Sequence, residues 1–444
     1  MVIKRSELYA FSLGILIHIF YFRVGEHHLY PARPLFRKLA DLHETYGSFV
    51  RIGPSDLSIV HPKATSIIYG FKSTCTKSAW YDGSAPLKSL HAHRIRADHD
   101  KHRRIWNPGF TDRALHGYEK RIQVYRQKLI NQITSADDDE PVNISTLFTW
   151  YGYDVMGDLA FGQSFDMLEK SSTHWAVLLI LSMLKPVEYL MPIWFFRLSV
   201  SIPFASKAFW KFNEYWGQLF RTRMATKQEI PDISACLLEP LKGRTPTTDE
   251  FNGLLGDASL IINAGGDTTA TTLTTIVYEL ARRPLEVQKL RAELAVCTTD
   301  ANGEYAHENL TTLKQLNGVI NETLRIHSPV PSYIPRKTPP EGIDIEAETV
   351  YQNAQDFIPE RWYLYPEMIK ERSAYAPFTT GPYTCIGKPL ALMNIRATIA
   401  RLVTAFNMEL APGDDGRALE RSMREHFSIY MADDIRVIFR KCAI

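Results

Sequence analysis

The stretch FTTGPYTCIG, Phe378 to Gly387, places Cys385 between a Gly/Pro turn and the run IGKPLALMNIRATIARLV, which is patterned as a helix. A cysteine held on such a turn is either buried filler or a thiolate kept for chemistry. The rest of the chain bears on that choice. Its 444 residues, 45% of them hydrophobic, describe a large globular protein with ample material for a core. Basic and acidic side chains number 51 and 49 and are interspersed, with no basic arm and no zinc-finger spacing, so no nucleic-acid partner is expected. The cysteines, Cys75, Cys236, Cys297, Cys385 and Cys442, are odd in number, far apart and without a CxxC pair, which argues against a disulfide framework.

Near the amino terminus, LYAFSLGILIHIFYF (Leu8 to Phe22) is almost wholly apolar, with Lys4 and Arg5 before it and Arg23 after it. At about 1.5 Å per residue it reaches about 22 Å, and Val2 and Ile3 extend it toward the roughly 30 Å hydrocarbon core. RVGEHHLYP, which follows, offers no convincing small-residue cleavage site, so a retained membrane anchor over residues 1–23 is favoured over a signal peptide. Beyond it no repeat, low-complexity tract or long linker divides the chain. The polar breaks at 135–141, 239–250 and 411–420 each sit between apolar periodic segments, which predicts one mostly helical domain over 24–444.

The clearest element starts at Thr247, which has capping-box spacing to Glu250, and continues to Arg283, before Pro284 stops it. Its middle, INAGGDTTATT, stacks glycines and threonines where a helix prefers Ala or Leu. Two accounts stay open. The glycines mark a close helix crossing with threonines bonded back to the preceding turn, or the helix opens over a ligand and exposes the Asp267 carboxylate and the Thr268 hydroxyl. A second helix carries Glu322 and Arg325 on one face, three residues apart, and FIPERW (357–362) follows a short Pro- and Gly-rich segment of strands and turns.

Together, AGGDTT (264–269), ETLR (322–325), PERW (359–362) and FTTGPYTCIG (378–387) resemble, in order and approximate spacing, the signatures of the cytochrome P450 family. HDKHRRIWNPGF (99–110) is similar to that family's haem-contacting helix, and the anchor with LHETYGSFVRIGPSDLSIV (42–60) looks like membrane-bound fungal members. The resemblance covers nearly the whole chain and implies a mainly α fold with small β-sheets. It makes Cys385 the axial thiolate ligand of haem iron, a ligation that favours cleavage of the O–O bond. Gly381 and Gly387 would let the backbone pass close to the porphyrin, and Phe378 would pack beside the sulfur. Thr268 and Asp267 would relay protons on the oxygen side. Glu322, Arg325 and Arg361 would form a structural charge network beneath the haem.

The sequence departs from the family pattern in three places. Tyr383 replaces the usual basic residue two before the cysteine. His99 stands where many members have tryptophan, with Arg103 and Arg336 remaining as propionate partners. The chain is also short near 31–40 and 350–358, where EAETVYQNAQDFIPERW leaves eight residues between Val350 and Pro359. The implied activity is insertion of one oxygen atom from dioxygen into an apolar organic molecule, of the secondary-metabolite kind, at haem b. The electrons would come from NADPH through NADPH-cytochrome P450 reductase, with room for cytochrome b5 as a second donor, at the endoplasmic reticulum membrane facing the cytosol. Two rivals remain: a haem-binding protein with impaired turnover or a mis-spliced form, and a non-haem metal protein built on His91, His93, His99 and His102. Four arginines among those histidines would repel a cation.

Overall fold

The computed structural model describes residues 35–184 and 207–442, apart from 54–55, 85–86, 138, 227–228, 230, 332–333, 344, 346–352 and 426–427. The expected anchor at Leu8–Phe22 lies outside them, as do most of the strand expected before Val350 and much of the aromatic stretch 189–216. No helix among the described residues is long and apolar enough to cross a membrane.

The chain separates into two compact units that meet at Val60. In the amino-terminal unit, helix α1 (Leu35–Tyr46) leads into an antiparallel pair, β1 (Phe49–Arg51) with β2 (Leu57–Ile59). His43 ties helix to hairpin: one ring nitrogen bonds the Gly47 carbonyl at 2.7 Å and the other the Ser58 hydroxyl at 2.8 Å.

The larger unit is built around helices α2 (Arg96–Trp106), α3 (Asp112–Ser135), α4 (Ile144–Phe161), α5 (Thr248–Ala281), α6 (Lys314–Ile326) and α7 (Lys388–Ala405). Its strands are short: β3 (Thr76–Lys77) pairs with β5 (Arg336–Lys337), β4 (Val142–Asn143) and β6 (Phe406–Leu410) flank β9 (Arg436–Lys441), and β7 (Met423–Glu425) pairs with β8 (Ile429–Met431). This is the mainly α architecture with small sheets that the sequence predicts.

Helix α5 forms the axis of the core. Its start is the predicted capping box, with the Thr247 side chain accepting from the Glu250 amide and the Glu250 carboxylate accepting from the Thr247 amide. From Thr269 to Ala281 every residue is buried, as expected of a helix surrounded by others. Its glycines serve the crossing with α4. A Cβ on Gly152 would come within 2.5 Å of the Gly266 carbonyl oxygen, and one on Gly265 within 2.5 Å of Met156 Cε. Thr268, Thr272 and Thr274 each donate to the carbonyl four residues earlier. The helix runs unbroken, so close crossing with back-bonded threonines, rather than a local opening, is what the chain adopts.

Candidate functional site

The cysteine loop is closed by its own backbone. The Cys385 amide donates to the Phe378 carbonyl at 2.9 Å and the Thr384 amide to the Gly381 carbonyl at 3.1 Å, so Phe378 and Cys385 are held side by side. Gly381 has φ +69°, and a Cβ there would lie 2.1 Å from the Tyr69 carbonyl oxygen. Its glycine is thus demanded by the protein itself, whatever lies beyond the loop. Gly387 is different. Its φ is −77°, and an added Cβ would meet only Cys385 Sγ, at 3.8 Å. Nothing in the polypeptide excludes a side chain there, and the space such a side chain would enter borders the sulfur.

Cys385 retains exposed surface, yet burial pushes its thiol pKa up. The Gly387 and Lys388 amides at the start of α7 and the nearby Arg103 guanidinium act the other way and favour the thiolate. Arg103 itself donates to the Thr384 carbonyl at 2.5 Å, which places it against the cysteine loop.

Beside this loop is a cluster of cations. Register places Lys77 directly opposite Arg336 in the β3–β5 pair. Lys77 is 3% exposed, donates to the His91 carbonyl at 2.7 Å and lies over the rings of Tyr81 and Tyr383 at 5.0 and 4.6 Å. Arg336 donates to the Tyr81 hydroxyl at 2.7 Å and sits over Tyr69 and Tyr383. Arg96 reaches the Tyr383 ring from a third side. Burial, and then Arg336, lower the Lys77 pKa to about 7. Burial, then Lys77, Arg336 and His99, hold His91 down at about 3, and burial is the main cause that holds His99 at about 4.

Like charges directly opposite in a sheet repel, and buried charges are ordinarily paired. Among the described residues neither Lys77, Arg103 nor Arg336 forms a salt bridge with a carboxylate. The cluster has the charge to receive an anion from outside the chain. An exposed thiol, an adjacent glycine the protein does not itself need, and cations without a carboxylate partner to one side together fit a haem with its two propionates.

Tyr383, the departure from the family pattern, does not leave a gap. Its ring is the shared face on which Lys77, Arg96 and Arg336 converge, and His99 packs edge-on against it at 4.5 Å while bonding Asp100 at 3.0 Å. Lys77 and Tyr81 were not legible as site residues: Lys77 meets Arg336 only through a two-residue strand pair that joins distant parts of the chain.

The histidines of the rival metal reading do not converge. His102 bonds the buried Asp257, with its ring tilted against that of His93, while His99 turns to Asp100 and His91 packs edge-on against Tyr81. No group of three metal-ligating side chains occurs among the described residues.

On α5, Ala264 is exposed although the helix is otherwise mostly covered, so this turn borders open space. The Thr268 hydroxyl donates to the Ala264 carbonyl at 2.6 Å, and the Asp267 carboxylate accepts from the Ser428 hydroxyl. Elsewhere, Glu322 gathers the predicted charge network. It accepts from Arg325 at 2.9 and 3.0 Å, from Arg361 Nε at 2.9 Å, from Trp362 Nε1 at 2.9 Å and from the Ile358 amide at 2.8 Å. Arg325 and Arg361 also bind the carbonyls of Asn353, Ala354 and Asp356, which fastens the short segment before FIPERW.

The family model for cytochrome P450 matches residues 19–345 and 345–430, nearly the whole chain. The chain belongs to the cytochrome P450 family. It is 52% identical over 416 residues to the cytochrome P450 monooxygenase notG' of Aspergillus versicolor, covering 89% of this chain and 76% of that protein. It is 50% identical over the same length to the tryprostatin B 6-hydroxylases of Neosartorya fischeri and Aspergillus fumigatus, covering 76% and 74% of those proteins. Among solved structures, the haem domain of cytochrome P450DA superposes with a TM-score of 0.75 over 94% of this chain and 95% of that one, at 16% identity, which shows the shared fold. This P450 is therefore a haem-thiolate monooxygenase, close to enzymes of fungal secondary metabolism.

Proposed function

We propose that this P450 hydroxylates an apolar, indole-alkaloid-type small molecule, with electrons delivered from NADPH by NADPH-cytochrome P450 reductase at the endoplasmic reticulum membrane. The observation that carries this is the 50% identity to two tryprostatin B 6-hydroxylases over about three quarters of their length. When bound, haem with a thiolate ligand supplies activation of dioxygen toward O–O cleavage.

The chain's own residues divide the remaining work. Cys385 holds the iron, its sulfur steadied by the Gly387 and Lys388 amides. Lys77 and Arg336, gathered on Tyr383, take the propionates, while Arg103 secures the cysteine loop through Thr384. Thr268 and Asp267 sit on the turn of α5 beside Ala264, where a hydroxyl and a carboxylate can pass protons through water to the reacting oxygen. The Leu8–Phe22 run anchors the protein to the membrane. The test is a screen of indole alkaloids against the purified, haem-loaded enzyme. Members of the class should shift the haem spectrum and, with reductase and NADPH, give singly oxygenated products by mass spectrometry. Spectral shifts confined to unrelated terpenes or fatty acids would defeat the substrate assignment.

A second reading, that this form holds haem poorly because it is short before Pro359, is favoured by one observation. The family match breaks at residue 345, close to the shortened stretch. Expressing this chain beside a version lengthened there decides between the two, with equal haem occupancy supporting the first reading.

A further inference from the structure

Helix α5 makes two side-chain contacts to the β7–β8 hairpin, one turn apart. Asp267 accepts a hydrogen bond from Ser428 Oγ, and Thr271 Oγ1 donates to the Ile429 carbonyl at 2.8 Å. The hairpin is pinned from its other side too, where the Ile429 amide donates to the Pro329 carbonyl at 2.8 Å. Ser428, Ile429 and Thr271 are all buried, whereas Asp267 is half-buried.

These contacts do different work. Those of Ile429 run through its backbone and already fix the hairpin against α5 and Pro329. The Ser428 hydroxyl instead ends on a titratable group. A hydroxyl bonded to one carboxylate oxygen restricts rotation of the group and leaves the other oxygen for further partners. On the α4 side, Gly266 lies against the Tyr153 ring, and the Asp267 carboxylate adds to the effect of burial in raising that phenol's pKa. The Tyr153 phenol therefore stays protonated and carries no competing negative charge.

We propose that Ser428 is a positioning residue for proton delivery, holding the Asp267 carboxylate in the orientation from which it serves water beside Thr268. The proposal rests on the reading that Asp267 and Thr268 deliver protons. When delivery fails, dioxygen that has taken two electrons from NADPH leaves with two protons as hydrogen peroxide, and no oxygen enters the substrate.

The test uses full-length, haem-loaded enzyme with reductase and the best substrate of the alkaloid screen. Ser428→Ala should raise peroxide formed per NADPH about fivefold to tenfold, the scale of one ordinary hydrogen bond lost, with KM and haem occupancy unchanged. Ser428→Thr should restore coupling. Asp267→Asn should uncouple at least as strongly, and the double variant should be no worse than Asp267→Asn. Independently of turnover, Ser428→Ala should lower the unfolding midpoint in the native background and not in the Asp267→Ala background, where no acceptor remains. Should Ser428→Ala not fold, Ser428→Cys, which keeps the size and weakens the donor, takes its place. Unchanged peroxide in Ser428→Ala with strong uncoupling in Asp267→Asn overturns the proposal and leaves the Asp267 reading standing. Unchanged peroxide in both overturns both, and additive effects in the double variant show that Ser428 acts elsewhere.

Discussion

Lys77 and Arg336 stand directly opposite each other in a two-residue strand pair, two cations with no carboxylate bonded to either among the described residues. Such a pair destabilises the protein unless an anion lies between or beside its members. In the proposed reading the haem propionates are that anion, and the pair would then make cofactor uptake sensitive to pH.

Without haem, the folded chain releases the Lys77 proton near pH 7, whereas an unfolded chain keeps it to about 10.5. Between those values the unfolded state binds more protons, so stability of the haem-free protein rises with pH across the window. Haem binding reverses the shift, because a propionate favours the protonated amine, and above pH 7 loading must take up a proton. Haem affinity should therefore fall as pH rises from 7 toward 10, by at most about tenfold per unit. Lys77→Met should flatten that dependence. Haem titrations of the apoprotein at several pH values measure it, and a flat profile in the unmodified protein would remove Lys77 from the site.

The two glycines of the cysteine loop should separate folding from cofactor retention. Gly381→Ala meets the Tyr69 carbonyl at 2.1 Å and a positive φ, so it should destabilise the protein with or without haem. Gly387→Ala has no such obstacle and should leave haem-free stability within about 0.5 kcal/mol while weakening haem retention. Melting curves of both variants, with and without haem, distinguish these outcomes. A Gly387→Ala variant that retains haem normally would place the cofactor elsewhere.

Glu322 is fully buried and holds two arginines, an indole and an amide. Glu322→Ala takes the buried carboxylate from both guanidinium groups and should cost about 3–5 kcal/mol by denaturant unfolding. Arg421→Ala, which breaks an exposed pair with Asp415, should go unnoticed. A loss for Glu322→Ala as small as that for Arg421→Ala would show that the network contributes nothing to folding.

What could be read in the sequence was what is local. The capping box of α5, the three-residue spacing of Glu322 and Arg325, and the Gly/Pro turn before Cys385 are each contained in a few neighbouring residues, and each is found where it was expected. At Tyr383 the sequence shows only one residue and one absent charge. The structure replaces that charge with a ring on which Lys77, Arg96 and Arg336 converge. Lys77 and Ser428 gave no signal at all, since neither belongs to a periodic pattern and both reach their partners through short strands that join distant parts of the chain.

Thr268→Ala should leave the haem spectrum intact and send reducing equivalents to hydrogen peroxide. Among the described residues the hydroxyl's hydrogen bond stays within its own helix, to the Ala264 carbonyl, and its proposed task is proton delivery rather than haem binding. Peroxide measured against NADPH consumed checks this, and unchanged coupling would take Thr268 out of proton delivery.

The central claim is that Cys385 ligates haem iron as a thiolate, and the spectrum of the reduced carbonyl complex tests it most directly. The unmodified protein should show the red-shifted Soret band of thiolate ligation, and Cys385→Ser should lose it. Survival of that band in Cys385→Ser would contradict the assignment of the site.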